Sequence, residues 1–204
     1  MKEGISSKSI YRKDYNAYPW DVRQLDLYFD IGRESTTVRA EMEFRLKDGS
    51  KAPTDIVLNG HGLQMVSLSL NGRVLTEADY SIDGESLTIP NAPPESVLET
   101  EVRIHPASNS ALEGLYVSGE FLLTQCEAEG FRKITWFPDR PDVMTTYRVT
   151  LEADRSEFPI LLSNGNRVGA GELPGGRHWV RWEDPFLKPS YLFALVAGDL
   201  ALVE

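Results

Sequence analysis

Apolar and polar side chains alternate with a period of two along much of this chain. Between residues 37 and 46 every second position is apolar, and residues 25–31 follow the same rule. Side chains of a β-strand point alternately to its two faces, so each segment can bury one face and keep the other in water. The residues between them, 32–36, are predicted to form a hairpin turn. No segment shows a sustained helical period, which favours a fold built from sheets.

The rest of the chain adds short strand-like segments separated by turn signals. Strands are predicted at residues 55–58, 64–70, 80–82, 86–89, 97–105, 147–153, 167–172 and 177–182. Asn-Gly, Asp-Gly and Gly-Gly pairs, which favour tight hairpin turns, occur at residues 71–72, 83–84, 164–165 and 175–176. An almost continuous apolar run over residues 191–200 predicts a last strand buried on both faces. These patterns predict an all-β fold: a saddle-shaped antiparallel β-sandwich or set of open sheets with many short strands and little helix.

Length and composition suggest one domain. The chain has 204 residues, of which 41% are hydrophobic, enough to bury a sizeable core. We expect a flexible N-terminal segment at residues 1–10 and a single β-domain over residues 11–204. The apolar run close to the end predicts that the chain stops at a domain boundary.

Charge and cysteine content narrow the possible partners. The net charge of -10 disfavours nucleic acid and anionic membrane as partners, because both require clustered Lys and Arg. No apolar run approaches the ~18 residues of a membrane-spanning helix. Cys126 is the only cysteine, so no internal disulfide can form, and we expect a cytoplasmic location.

The alternation breaks down in the segment 124–132, which combines carboxylates, an amide and Cys126, and the irregular region continues to residue 142. A connection of roughly 20 residues without regular structure is usually functional or disordered. Phe131, Trp136 and Phe137 argue against disorder, so a functional loop is predicted. The charged segment 139–142 is predicted to shape this loop or an interface, because its carboxylates can accept hydrogen bonds from loop amides.

Chemistry contained within the chain itself has little support. The histidines at positions 61, 105 and 178 are isolated in sequence and lack metal-ligand spacing, so no metal site is expected. His105 is at a strand end before a proline and His178 is on a strand face, which predicts packed or hydrogen-bonded side chains at these two positions. Cys126 is flanked by carboxylates that raise a thiol's pKa, which predicts a small half-buried structural residue. Glu127 and Glu129 would share a face in an extended segment. They could bind a cation in a cleft, but the residues alone favour a solvated face.

At this point the sequence resembles a known family. The resemblance is carried by residues 11–15, 111–116, 124–132, 139–143, 161–168, 184–186 and 191–199. These segments are similar to the N-terminal domain of the M1 family of zinc metallopeptidases. The resemblance implies a saddle-shaped β-domain that caps a thermolysin-like catalytic domain in a four-domain cytoplasmic exopeptidase. It also implies zinc in the parent protein and none on this chain, which lacks the family's catalytic motifs and is expected to be inactive alone.

The resemblance assigns roles to the loop residues as well. Glu127 would bind the α-ammonium group of a peptide N-terminus, and Gln125 would line the pocket for the first side chain. Cys126 and Glu129 would support them. The implied partners are the peptide N-terminus and an intramolecular catalytic domain, whose contact predicts exposed apolar side chains near the loop and the last strand. The alternative is a stand-alone β-sandwich interaction module without a catalytic role.

Overall fold

The computed structural model describes residues 11–50, 52 and 54–201, so the predicted flexible segment 1–10 lies outside the described residues. In this part the chain forms strands and three-residue 3-10 helices. The strands are β1 Trp20–Asp30, β2 Thr36–Leu46, β3 Thr54–Asn59, β4 Gln64–Leu70, β5 Arg73–Val74, β6 Ser81–Asp83, β7 Ser86–Ala92, β8 Glu95–Ile104, β9 Gly114–Ser118, β10 Phe121–Gln125, β11 Thr145–Asp154, β12 Ile160–Ser163, β13 Asn166–Leu173, β14 Arg177–Lys188 and β15 Leu195–Gly198. The 3-10 helices are Arg12–Asp14, Pro106–Ser108, Phe131–Lys133, Pro174–Gly176 and Ser190–Leu192. Among the described residues, no helix has the length and apolar character needed to cross a membrane.

The strands form open sheets, which confirms the predicted all-β class. An 8-stranded sheet has the order β13-β14-β11-β1-β2-β8-β4-β5, a 4-stranded sheet the order β12-β15-β10-β9, and a 3-stranded sheet the order β3-β7-β6. One pairing departs from the antiparallel prediction, because β1 and β11 run parallel from Gln24↔Thr146 to Asp30↔Glu152. Parallel neighbours need a long connection, and here it contains β2 to β10 and the irregular loop.

The predicted alternation sets which face of the large sheet is buried. Along β2 the residues alternate between buried and more exposed positions from Thr36 to Arg45. β1 starts five residues before the predicted segment, at Trp20, whose ring is fully buried and whose Nε1 donates to the Asp55 carbonyl 2.9 Å away. The buried apolar side chains of all three sheets form a continuous core.

The end of the chain differs from the predicted continuous strand over residues 191–200. A 3-10 helix at Ser190–Leu192 comes first, and only Leu195–Gly198 forms the strand β15. Phe193 lies between them and turns its ring into the core, where it stacks on Phe29 with centroids 6.1 Å apart. β15 then pairs with both β12 and β10, and its residues Leu195, Ala197 and Gly198 are buried. The predicted buried strand is therefore present, but it is shorter than expected.

Strand β10 brings the irregular loop into place. β9 and β10 form a hairpin that was not among the predicted strands, and β10 also pairs with β15 on its other side. Thr124 near the end of β10 accepts a hydrogen bond from the backbone N–H of Leu195 at 2.8 Å. Gln125 is the last strand residue, so the loop begins from a strand that is paired on both sides.

Candidate functional site

The loop opens with a tight turn between β10 and the 3-10 helix Phe131–Lys133. The N–H of Gly130 donates to the Cys126 carbonyl at 2.8 Å, and the peptide bond between Glu127 and Ala128 is cis. A Cβ on Gly130 would lie 2.3 Å from the carbonyl oxygen of Gln125, closer than backbone atoms allow. Glycine is therefore required here by close approach of the backbone, and the turn is compact.

Phe131 anchors the turn to the core. Its side chain is fully buried and lies edge-on to Phe137 and Phe193, with ring centroids 5.2 and 5.3 Å away. Tyr147 adds a third edge-on contact at 6.4 Å. Such aromatic contacts favour one relative orientation of the rings, so the residue that follows the turn is fixed against three other segments.

The two carboxylates of the loop have different environments. Residues 127–130 form a turn, so the extended geometry that would place Glu127 and Glu129 on one face does not apply. Glu129 forms an ion pair with Arg132, with Oε1 3.1 Å from the guanidinium. Glu127 is exposed, and within the described part of the chain its carboxylate has no hydrogen bond or ion pair. One carboxylate is thus neutralised within the domain and the other is free to bind a cation.

Gln125, the last residue of β10, supports the turn through its side chain. Its side-chain amide donates to the backbone carbonyl of Glu127 at 3.0 Å. The Gln125 side chain therefore supports the backbone that carries the free carboxylate. Gln125 and Glu127 lie together at the exposed surface of the turn.

Cys126 faces the interior, with 3% of its surface exposed. Burial raises the pKa of the thiol well above its usual range, and the negative charge of Asp139 raises it further. The thiol is protonated at neutral pH and is a poor nucleophile. The side chain is more deeply buried than the half-buried position that the sequence indicated, which fits a structural residue.

A buried ion pair lies behind the turn. The Asp139 side chain is 1% exposed, and its Oδ2 lies 3.1 Å from both the backbone nitrogen and the Nε of Arg132. Its other oxygen accepts a hydrogen bond from the Ser190 hydroxyl at 2.5 Å. This confirms that a carboxylate of segment 139–142 satisfies a loop amide. Arg132 is a functional residue that was not predicted, although its three-residue spacing from Glu129 is that of an ion pair on a helical turn.

An open cleft of about 840 Å³ adjoins this ion pair, and its lining includes Glu129, Arg132 and Tyr18. On its other side Arg140 binds Asp142, with Nε 2.7 Å from Oδ1. The Arg140 guanidinium holds the pKa of the Asp142 carboxyl below its usual range, and a hydrogen bond from the Tyr18 backbone nitrogen acts in the same direction. The charged side chains of the cleft are therefore largely paired with one another.

His105 and His178 are hydrogen-bonded, as predicted. His178 is buried and donates from Nε2 to the Phe158 carbonyl at 2.8 Å, and His105 contacts the Glu34 carbonyl at 3.0 Å. His61 pairs with Glu85 at 2.5 Å. Over residues 11–50, 52 and 54–201, no three His, Cys, Asp or Glu side chains lie together as metal ligands. These described residues do not fit a zinc site.

Comparisons with known proteins agree on one family. The family model for the peptidase M1 N-terminal domain matches residues 12–192. Aminopeptidase N of Caulobacter vibrioides is 54% identical over 193 residues, which cover 95% of this chain and 22% of that protein. The chain thus spans about a fifth of the length of this relative.

Solved structures give the same result for the fold. A crystal structure of Legionella pneumophila aminopeptidase A in complex with aspartic acid superposes with a TM-score of 0.86 and 36% identity, covering 93% of this chain and 22% of that one. An M1 zinc metallopeptidase from Deinococcus radiodurans, bound to a Tyr-Ser-Ala substrate, superposes with a TM-score of 0.75. It is 16% identical and covers 88% of this chain and 42% of that one, so it supports the fold alone.

Proposed function

Because the chain belongs to the N-terminal domain family of the M1 peptidases, we propose that it is the substrate-anchoring domain of a zinc-dependent aminopeptidase. In this proposal Glu127 binds the α-ammonium group of the peptide and Gln125 lines the pocket for its first side chain. Cys126 supports the turn by packing into the core, and Glu129 supports it through the ion pair with Arg132. The observation that carries the proposal is the free carboxylate of Glu127 next to the paired carboxylate of Glu129.

Binding of the α-ammonium group explains how such an enzyme selects the first peptide bond of its substrate. A carboxylate at a fixed position favours ligands with a positive charge at one place, which sets the first peptide bond over the catalytic groups. When a catalytic domain covers the turn, the lower local dielectric strengthens the attraction between carboxylate and ammonium. An internal peptide segment has no ammonium there, and the carboxylate would be left unpaired, which disfavours its binding.

The metal belongs to another part of the proposed protein. The three histidines, His61, His105 and His178, are each engaged in a separate hydrogen bond. Zinc supplies Lewis-acid chemistry to peptide hydrolysis when it is bound, and its ligands would lie outside these 204 residues. The chain alone is expected to be inactive as a peptidase.

Exposed apolar side chains support docking against a catalytic domain. Leu112 is 55% exposed and lies two residues before β9, whose Gly114 approaches Gly130. Leu192 is 51% exposed in the 3-10 helix before β15, and Leu162 is exposed on β12 next to that strand. Apolar side chains near the loop and the last strand fit a surface that a further domain covers, and they argue against the stand-alone module.

The test replaces Glu127 by Gln in the full-length protein that contains this chain. The substitution keeps the shape and removes the charge, so kcat/KM for an aminoacyl p-nitroanilide should fall at least about 30-fold, equivalent to about 2 kcal/mol. Glu77→Gln is the matched control, since Glu77 is also exposed in a turn and unpaired within the described residues. Equal kcat/KM values for the two variants would refute the role of Glu127.

A further inference from the structure

Asp139 joins three segments that are distant in sequence. Its carboxylate accepts hydrogen bonds from Arg132, which follows the turn, and from Ser190, which precedes β15. Its backbone N–H donates to the side chain of Asn59 at the end of β3, 3.1 Å away. A buried carboxylate is tolerated when its oxygens are paired and hydrogen-bonded, as they are here. Asp139 therefore links the base of the turn to β3 and to the region of β15.

Arg132 extends this linkage to the turn itself. Its guanidinium binds Asp139 through Nε at 3.1 Å and Glu129 through a terminal nitrogen, also at 3.1 Å. The arginine side chain is 14% exposed, whereas that of Glu129 is 68% exposed. A planar guanidinium can hold two carboxylates in fixed directions, which an ammonium group cannot do. The surface carboxylate of Glu129 is thereby tied to a buried one.

The remaining hydrogen bonds of the turn are local. Gly130 bonds to Cys126, and Gln125 bonds to the backbone of Glu127. These bonds shape the turn but join residues that are close in sequence, so they add little to its placement on the domain. Phe131, Arg132 and Lys133 make long-range contacts after the turn, Lys133 through an ion pair with Glu113. Among these three residues, only Arg132 also binds a carboxylate of the turn.

We infer that Arg132 and Asp139 are positioning residues that hold Glu127 at the site of the substrate amine and keep Glu129 away from it. This inference rests on the proposed function of Glu127. Arg132 occupies Glu129, so the amine meets one carboxylate at one position. Asp139 fixes the direction of the guanidinium and, through the Arg132 amide, the exit of the turn. Neither residue touches the substrate, and both act through Glu127.

The test isolates the contribution of the amine to binding. Two zinc-binding inhibitors are compared in the full-length zinc enzyme, an α-amino hydroxamate and its counterpart with hydrogen in place of the amine. Amine recognition is measured by a ratio, the inhibition constant of the des-amino compound divided by that of the α-amino compound. Because a misplacement of about 1 Å can cost about 100-fold, Asp139→Asn and Arg132→Lys should each lower this ratio at least about tenfold. The inhibition constant of the des-amino compound should change less than about threefold.

A matched control and a double variant separate positioning from general damage. Arg148 also bridges two carboxylates, Asp26 at 3.2 Å and Glu183 at 3.0 Å, but lies on β11 in the large sheet, so Arg148→Lys should keep the ratio. Combining Asp139→Asn with Glu127→Ala should lower the ratio no further than Glu127→Ala alone, because both changes act on one interaction. If Asp139→Asn does not fold, the ratio measured for Arg132→Lys tests the inference, because lysine keeps the positive charge and the aliphatic stem.

The outcomes distinguish this inference from the proposed function. If Glu127→Ala abolishes the preference for the amine while Arg132→Lys and Asp139→Asn keep it, the positioning role is wrong and the function stands. Equal weakening of both inhibitors in these variants also overturns it, because that result indicates general structural damage. If Glu127→Ala itself keeps the ratio, the proposed function fails, and the inference fails with it.

Discussion

Replacing Phe131 by Ala should strongly destabilise the domain, because this side chain fixes the loop to the core. It is fully buried and makes edge-on contacts with Phe137, Phe193 and Tyr147. Removing a buried Phe side chain typically costs about 3–5 kcal/mol. Aromatic pairs add about 0.5–1.5 kcal/mol each beyond the buried area, which places the expected loss near the upper end, at about 4–5 kcal/mol. That is a large part of the total stability of a typical domain.

The assay is urea unfolding of the 204-residue chain, followed by tryptophan fluorescence. With a slope of about 2 kcal/mol per molar urea, a loss of about 4 kcal/mol lowers the midpoint by about 2 M. Phe186→Ala is the matched control, because the same atoms are removed from a side chain that is 76% exposed. It should change the unfolding free energy by less than about 0.5 kcal/mol.

Two results would refute this reasoning. If the midpoints of Phe131→Ala and Phe186→Ala fall by similar amounts, burial of the Phe131 ring does not stabilise the domain. The second result is that Phe131→Ala lowers the stability of the domain, but the full-length protein with the same substitution still binds the α-amino hydroxamate in preference to its des-amino counterpart. In that case the aromatic contacts stabilise the core without fixing the turn. The two measurements therefore address the packing and the placement of the turn separately.

Two further predictions follow from the charges around the loop. Because Cys126 is buried and its thiol pKa is raised, iodoacetamide should modify the folded chain at least about 100-fold more slowly than the urea-unfolded chain, as measured by mass spectrometry, and equal rates would contradict the structure. The pKa of Asp142 is lowered by Arg140, so its carboxylate stabilises the fold above about pH 4, the ordinary value, and this contribution is lost as the pH falls further. Asp142→Asn should therefore lower the unfolding free energy by about 2 kcal/mol at pH 7, and the difference from the unsubstituted chain should shrink toward pH 2; a difference independent of pH would show that the charge of Asp142 is not involved.

The bounds of strands that have one solvent-exposed face could be predicted closely from the sequence. The bounds of elements that depend on contacts between distant residues could not. β2 begins within one residue of its predicted start, because the alternation of residues 37–46 matches the burial of one face. Residues 191–200 carry no such alternation, and the break before β15 follows from the packing of Phe193 against Phe29 and Phe131. The parallel pairing of β1 with β11 was missed because alternation has the same period in parallel and antiparallel strands.

The loop shows the same division between local and distant causes. The hydrogen bond from a loop amide to a carboxylate of segment 139–142 follows from local composition and was predicted. Cys126 was expected to be half-buried, and its nearly complete burial depends on tertiary packing. The hydrogen bond between Ser190 and Asp139 joins residues 51 positions apart, and no pattern in the sequence indicates it. Tertiary packing creates this contact, so only the structure could place Asp139 at the centre of a network.

The two glutamates of the turn illustrate why residue type and spacing were insufficient to distinguish a paired carboxylate from a free one. Glu127 and Glu129 are the same residue two positions apart, and the sequence alone left open whether either does more than face solvent. Arg132 makes them different, since it pairs with Glu129 and is itself held by Asp139. A single arginine thus converts a pair of like charges into one neutralised and one free carboxylate. A site that recognises one ammonium group at one position requires this difference, because two equivalent carboxylates would allow two positions of the peptide end.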